Sequence, residues 1–83
     1  MPRYFFNIYD GHSELDDTGT ELSDIYAAHA AAIVFSGEVL RDMGAKFWNG
    51  TNWKLEVTAE DGAVLFVLRF SAEETSLSPQ AIG

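Results

Sequence analysis

Three segments of the chain carry the side-chain pattern of β-strands. Over residues 53–58, with the sequence Trp-Lys-Leu-Glu-Val-Thr, apolar and polar positions alternate strictly. A period of two predicts a strand with one buried face. Residues 3–9 are rich in aromatic side chains, and residues 63–70 are apolar on both faces. Both compositions favour strands, so we predict three strands in all.

A helical pattern separates the first strand from the second. Ser23 is a suitable N-cap with Asp24 in the first turn, and Gly44 suits the position just after a helix. Apolar residues recur at intervals of three and four between these points, which predicts one amphipathic helix. The predicted core stripe consists of Ile25, Ala28, Ala32, Phe35, Val39 and Met43, widened by Ile33 and Leu40.

The elements follow the order β-α-β-β, which predicts an α+β fold. Asn49-Gly50 indicates a turn before the second strand, and Glu60-Asp61-Gly62 indicates a hairpin between the second and the third. We expect a three-stranded antiparallel sheet with the helix packed on one face. The helix would return the chain so that the first two strands run in the same direction. The third strand is the most apolar, so we expect it in the centre, in the order 1-3-2.

The remaining segments are expected to be loop and tail. Residues 10–21 form an acidic loop, with room for a short extra strand near residues 12–16. Residues 1–70 are predicted to make a single self-contained α+β domain. Residues 71–83 are polar and are predicted to form a loosely ordered C-terminal tail.

One face of the predicted sheet has no helix to cover it. The apolar side chains expected there are Phe5, Tyr9, Leu65 and Val67. A contiguous apolar patch is typical of an interface, and a domain this short gains stability from oligomerisation. We therefore predict a homodimer that forms through this face or along an edge strand. The alternative is that the tail or the loop of residues 10–21 covers the face.

Charge and composition restrict the classes of partner. The net charge is −8, and no lysine or arginine lies between Arg3 and Arg41. Phosphate contacts require basic side chains, so direct binding to nucleic acid or to a membrane is disfavoured. A basic protein partner is favoured, and an inhibitor that mimics nucleic-acid phosphates is one such alternative. The chain has no cysteine, no signal peptide and no membrane-spanning run, so we expect a cytoplasmic protein.

The acidic loop is the one segment with candidate chemistry. Its polar residues have the ligand spacing of a twelve-residue calcium loop: Asp10, His12, Glu14, Asp16, Thr18 and Glu21. Leu15 stands where such a loop needs glycine, and a strand rather than a helix precedes it. Only a weak metal site is therefore predicted, with candidate ligands Asp10, Glu14, Asp16 and Glu21. His12 lies among carboxylates that stabilise a protonated imidazole, so pH sensing is a further alternative. No catalytic or cofactor motif occurs, so we predict neither enzyme activity nor a cofactor.

Four segments form a recognisable set, in this order along the chain: Met1-Pro2-Arg3-Tyr4-Phe5-Phe6-Asn7-Ile8-Tyr9-Asp10-Gly11, Asp17-Thr18-Gly19-Thr20-Glu21-Leu22-Ser23-Asp24, Ala27-Ala28, and Trp53-Lys54-Leu55-Glu56-Val57-Thr58 before Asp61-Gly62. The set resembles a family of short uncharacterised alphaproteobacterial proteins, a domain of unknown function. The resemblance implies a small stand-alone bacterial cytoplasmic protein and supplies no activity, cofactor or catalytic residue. Many members have arginine near the position of His29, which implies that this position is exposed.

Overall fold

In the computed structural model, which describes residues 1–48 and 52–72, the three predicted strands and the predicted helix are all present. The strands are β1 (Arg3–Tyr9), β2 (Ser13–Glu14), β3 (Thr20–Glu21), β4 (Trp53–Thr58) and β5 (Val64–Phe70). The helix α1 (Ile25–Met43) continues into a short 3-10 helix (Gly44–Trp48). The fold is α+β, as predicted. The short extra strand expected near residues 12–16 is β2, whereas β3 has no counterpart in the prediction.

The strand order differs from the predicted one. The sheet has five strands in the order β2-β1-β4-β5, with β3 also paired to β1, and every pair is antiparallel. The predicted order 1-3-2 is therefore wrong, because β4 is central and β5 lies at the edge. The apolar character of β5 on both faces does not reflect a central position, since Val64 is 52% exposed and Leu65 is 41% exposed.

The segment after β1 explains why β1 and β4 are antiparallel. β2 and β3 lead the chain back along β1, pairing Ser13 with Tyr9 and then Glu21 with Arg3. The helix therefore begins beside the start of β1 and carries the chain to the end where β1 finishes. β4 starts there, with Lys54 paired to Tyr9, and runs the opposite way. The prediction that the helix returns the chain, so that the first two predicted strands run in the same direction, is wrong, because two short strands make the return.

The core lies between α1 and one face of the sheet. Trp53, Leu55 and Val57 of β4 are completely buried beneath the helix. Burial of side chains of this size contributes about 1.5–3 kcal/mol each. The alternation that predicted β4 is therefore the main source of the core. The other buried apolar residues are Tyr4, Ile8, Ala28 and Ala32.

The buried face of α1 differs from the predicted stripe at three positions: Ile33 and Leu40 are not part of the packed core, and Ser36 is buried. Most of the stripe packs against the core, but Ile33 does not, because it is 58% exposed. Ser36 takes a buried position instead, with only 1% of its surface exposed. Among the described residues, the Ser36 hydroxyl has no hydrogen-bond partner. The outer surface of α1 is thus more apolar than predicted, and its inner surface contains an unsatisfied polar group.

Capping residues set both ends of α1. Asp24, rather than the predicted Ser23, is the N-cap, and its carboxylate accepts a hydrogen bond from the Ala27 N–H at 2.9 Å. Gly44 ends the helix as predicted, with a φ of 51° and its N–H donated to the Leu40 carbonyl. A positive φ at this position is the usual reason for glycine after a helix.

Two predictions fall wholly or mostly beyond the described residues. These are the turn at Asn49-Gly50 and the tail of residues 71–83, of which the structure describes residues 71 and 72. In the part of the chain that is described, no helix is long and apolar enough to cross a bilayer.

Candidate functional site

The outer edge of β1 is closed along its length by the loop that follows it. β2 pairs with the end of β1 and β3 with its start. Between them, the Asp16 carboxylate takes the place of a strand, because its Oδ2 accepts the Phe6 N–H at 3.2 Å. The Asp16 N–H donates to Asn7 Oδ1 at 2.9 Å. A side chain thus completes the edge where backbone pairing stops.

Asp16 also shapes the loop itself. Its Oδ1 accepts the N–H groups of Thr18 at 3.0 Å and Gly19 at 2.9 Å. Burial raises the pKa of the Asp16 carboxyl, but the three backbone N–H groups and the Arg3 guanidinium outweigh burial and hold the pKa below its usual range. The carboxylate is therefore ionised at neutral pH and bound to the backbone, which suits a positioning role and not proton transfer.

Gly19 allows the loop to lie against β1. Its φ is +77°, and a Cβ there would lie 2.7 Å from Arg3 Cγ and 2.9 Å from Phe5 Cε2. The Arg3 guanidinium donates to the Thr18 carbonyl at 3.0 Å and pairs with Glu21 at 3.2 Å. The loop therefore lies against the side chains of Arg3 and Phe5 at the outer edge of β1.

The candidate metal ligands do not converge. Asp16 is bound to backbone N–H groups, Glu21 pairs with Arg3, and Asp10 accepts the His12 N–H at 3.2 Å. Glu14 is exposed on β2. Within residues 1–48 and 52–72, no group of three or more histidine, aspartate or glutamate side chains is placed to hold a metal ion. Asp10 and Asp16 instead accept backbone hydrogen bonds in turns, and Glu21 forms an ion pair.

The four predicted interface residues lie on two strands that β4 separates. They are Phe5 and Tyr9 of β1, and Leu65 and Val67 of β5. The side chains of β4 on this side are Lys54, Glu56 and Thr58. Lys54 Nζ lies 4.9 Å from the centre of the Tyr9 ring and 3.2 Å from a Glu56 carboxylate oxygen. The uncovered face is therefore mixed polar and apolar, not one apolar patch.

The outer edge of β5 is open. Among the described residues, no strand pairs with that side of β5. A helix about 10 Å wide covers roughly two strands spaced about 4.8 Å apart, and α1 packs over β4. The inward side chains of β5 are consequently only partly buried: Phe66, Leu68 and Phe70. The edge thus presents both unpaired backbone and incompletely covered apolar side chains.

A row of aromatic rings links this edge to the outer surface of α1. The His29 ring centre lies 4.7 Å from that of Phe66 and 6.0 Å from that of Tyr26. Tyr26 is 75% exposed, and Ile33 follows His29 by one helical turn on the same side. We call the outer edge of β5 together with Tyr26 and Ile33 the β5 edge surface.

A groove lies on the opposite side of α1, between the helix and the loop after β1. Its volume is about 430 Å³, and its apolar lining includes Phe6, Ile8, Ala31 and Phe35. Phe6 and Phe35 meet edge to face with ring centres 6.2 Å apart. The described part of the chain therefore has an apolar surface on each side of α1.

Residues 3–71 match the family model described as "Domain of unknown function (DUF6894)". The chain belongs to the DUF6894 family. Searches of curated proteins and of solved structures each returned no match. The matched residues include the whole sheet and α1, so the surfaces described above lie within the DUF6894 domain.

Two features of this DUF6894 domain were not predicted from the sequence. The first is the role of Asp16, for which Asp-x-x-Gly over residues 16–19 was a usable signal, because aspartate before a glycine turn often accepts local N–H groups. The second is the open edge of β5, which depends on the strand order and has no local signal. Both follow from the loop that returns along β1.

Proposed function

We propose that this DUF6894 protein is a small acidic interaction module that acts by binding and works as a homodimer joined at the β5 edge surface. The proposal rests on a difference between the two sheet edges: the β1 edge is closed by the following loop, and the β5 edge is open. The loop after β1 closes one edge with two short strands and the Asp16 carboxylate. Across the described residues, nothing similar closes β5. An open apolar edge strand is a template for pairing with another chain.

Antiparallel pairing of two β5 strands satisfies the geometry of a two-fold dimer. With the axis at Val67, the middle of the strand, Phe66 would face the partner's Leu68 and the two cores would become continuous. Both helices would lie on the same face, about 14 Å apart at three strand spacings. Two helices about 10 Å wide leave a gap of a few ångströms, which Tyr26 and Ile33 are placed to fill.

Charge favours this surface over the others. A net charge of −8 opposes self-association in general. Residues 25–37 and 63–72 contain no aspartate or glutamate, so the β5 edge surface is the part where this repulsion is smallest. The open sheet face, where the sequence predicted a partner at Phe5, Tyr9, Leu65 and Val67, contains charged side chains of β4 and is the competing arrangement.

The proposal is tested by the molar mass of the full chain in solution. We expect light scattering to approach twice the chain mass of 9.2 kDa as concentration rises. Val67→Lys should return the measured molar mass to that of one chain, because a lysine on an edge strand prevents edge pairing. The fold should tolerate this change, since position 67 lies opposite Glu56 on β4. Val34→Lys is the matched control, at a 63% exposed position on α1 outside the β5 edge surface, and should leave the dimer intact.

The outcomes separate the competing arrangements. A wild-type mass that stays at one chain at every concentration would overturn the homodimer. A dimer lost in Tyr9→Ser as well as in Val67→Lys would place the interface on the open sheet face instead, because both residues lie on that face, whereas a β5 edge dimer should survive Tyr9→Ser. A dimer lost only in Val34→Lys would place it on the outer surface of α1.

A further inference from the structure

The groove beside α1 has an apolar interior and acidic surroundings. Phe6 and Ile8 of β1 and Ala31 and Phe35 of α1 supply apolar surface inside it. A volume of about 430 Å³ is in the range of ligand sites, and about 150 Å³ accommodates a benzene-sized group. The groove therefore has room for two or three apolar side chains.

The wall formed by the loop supplies negative charge. Glu14 and Asp16 both line the groove, with Leu15 between them. Asp16 is bound by backbone N–H groups, whereas Glu14 has no cationic partner within 4 Å among the described residues. Arg3, the nearest lysine or arginine in the sequence, is already paired with Glu21. Glu14 is thus the charge available to an incoming group.

The apolar surface includes an exposed residue on the loop wall and continues beyond the groove on the helix wall. Leu15 on the loop wall is 66% exposed. On the helix wall, Val34 is 63% exposed and follows Ala31 by one turn, which places it on the same side of α1. An apolar groove with exposed apolar side chains on both walls suits an extended or helical peptide segment.

We propose that this groove binds a basic amphipathic segment of a partner protein, with its apolar side chains between β1 and α1 and a lysine or arginine at Glu14. The inference rests on the proposed role as an interaction module but does not require the dimer. Charge complementarity selects this occupant, because no lysine or arginine occurs between Arg3 and Arg41. The same excess of negative charge repels nucleic acid and acidic peptides.

The test is a titration of the isotope-labelled full chain with synthetic peptides, followed through its amide NMR signals. The probe is an amphipathic leucine-lysine peptide, and the controls are its leucine-glutamate counterpart and polylysine. We expect the first peptide to shift the signals of Leu15, Thr20 and Ala31, and the controls to leave them unchanged. Glu14→Gln should weaken binding about two- to fivefold, as expected for one exposed ion pair. Asp17→Asn, an equal charge change in the same loop but outside the groove lining, should have less effect.

Ala31→Leu partly fills the groove and should weaken binding about tenfold or more while Glu14 stays in place. Absence of shifts at the groove residues, or equal shifts with polylysine, would overturn the proposal. Shifts confined to β5 would assign the peptide to the other surface. Val67→Lys should bind the peptide as the wild type does, so failure of the dimer and failure of the groove site are distinguishable.

Discussion

Replacement of Asp16 by alanine tests whether one side chain holds the β1 edge together. The change removes the acceptor of three backbone N–H groups, at 2.9 Å, 3.0 Å and 3.2 Å. Hydrogen bonds to a charged group contribute about 1.5–3 kcal/mol each when buried, and less here because water can reach Thr18. We expect Asp16→Ala to lower the free energy of unfolding by about 2–3 kcal/mol.

That loss is large for a chain of 83 residues, whose total stability is about 4–12 kcal/mol. It corresponds to a fall in Tm of about 10–20 °C. Urea unfolding at a fixed protein concentration, followed by fluorescence of the fully buried Trp53, measures it directly. Asp17→Ala is the matched control, because within residues 1–48 and 52–72 its carboxylate accepts only from the Thr18 hydroxyl, at 3.2 Å. Equal stabilities for the two variants would refute the role assigned to Asp16.

The same carboxylate gives a dependence on pH. Its pKa is lower in the folded chain than in the unfolded chain, so its contribution is complete above about pH 5 and is lost as the pH falls through about 4 and below. Asp16→Asn does not titrate at this position. The difference in stability between wild type and Asp16→Asn should therefore shrink as the pH falls from about 5 to about 2. A difference that stays constant or grows would contradict the lowered pKa.

Four further changes in stability, with one matched control, follow from the packing and the helix cap. Gly19→Ala should lower the free energy of unfolding by about 2–3 kcal/mol, because position 19 has a φ of +77° and an added Cβ would make contacts below 3 Å. Gly37→Ala should raise the free energy of unfolding by about 0.5–1 kcal/mol, because an added Cβ would meet no atom within 4 Å. Ser36→Ala should raise Tm, since it removes a buried hydroxyl that has no partner among the described residues; the gain is about 1 kcal/mol. Asp24→Ala should cost about 1 kcal/mol, because it removes the N-cap of α1, while Ser23→Ala should change the unfolding midpoint little. Urea midpoints of these five variants would decide each case, and the opposite sign would count against the packing described.

Periodicity in the sequence was sufficient to locate the long elements. β1 and β4 were predicted with their observed bounds, and β5 within one residue, because alternation and apolar runs depend on local neighbours. The helix end at Gly44 was also correct, since a positive φ there has a local signal. The N-cap was misassigned by one residue, because Ser23 and Asp24 are both good caps and only the geometry distinguishes them.

Strand order could not be obtained in the same way. It depended on whether α1 or the preceding loop returns the chain, and β2 and β3 are only two residues long. Strands this short have no period to detect. The strand order also decides which surfaces are open: a central β5 leaves the sheet face uncovered, whereas an edge β5 exposes its backbone as well. The position of Ser36 was missed because a serine in an apolar helix is ordinarily assigned to the solvent side.

Amide hydrogen exchange along β5 tests the central claim most directly. Within the described residues of a single chain, only the β5 amides that face β4 pair with another strand, so protection should alternate along Phe66–Phe70. Edge pairing would protect the outward amides as well. We predict protection at consecutive residues at high concentration, and an alternating pattern on dilution or in Val67→Lys. Alternating protection in the wild type at every concentration would contradict a dimer joined at the β5 edge surface.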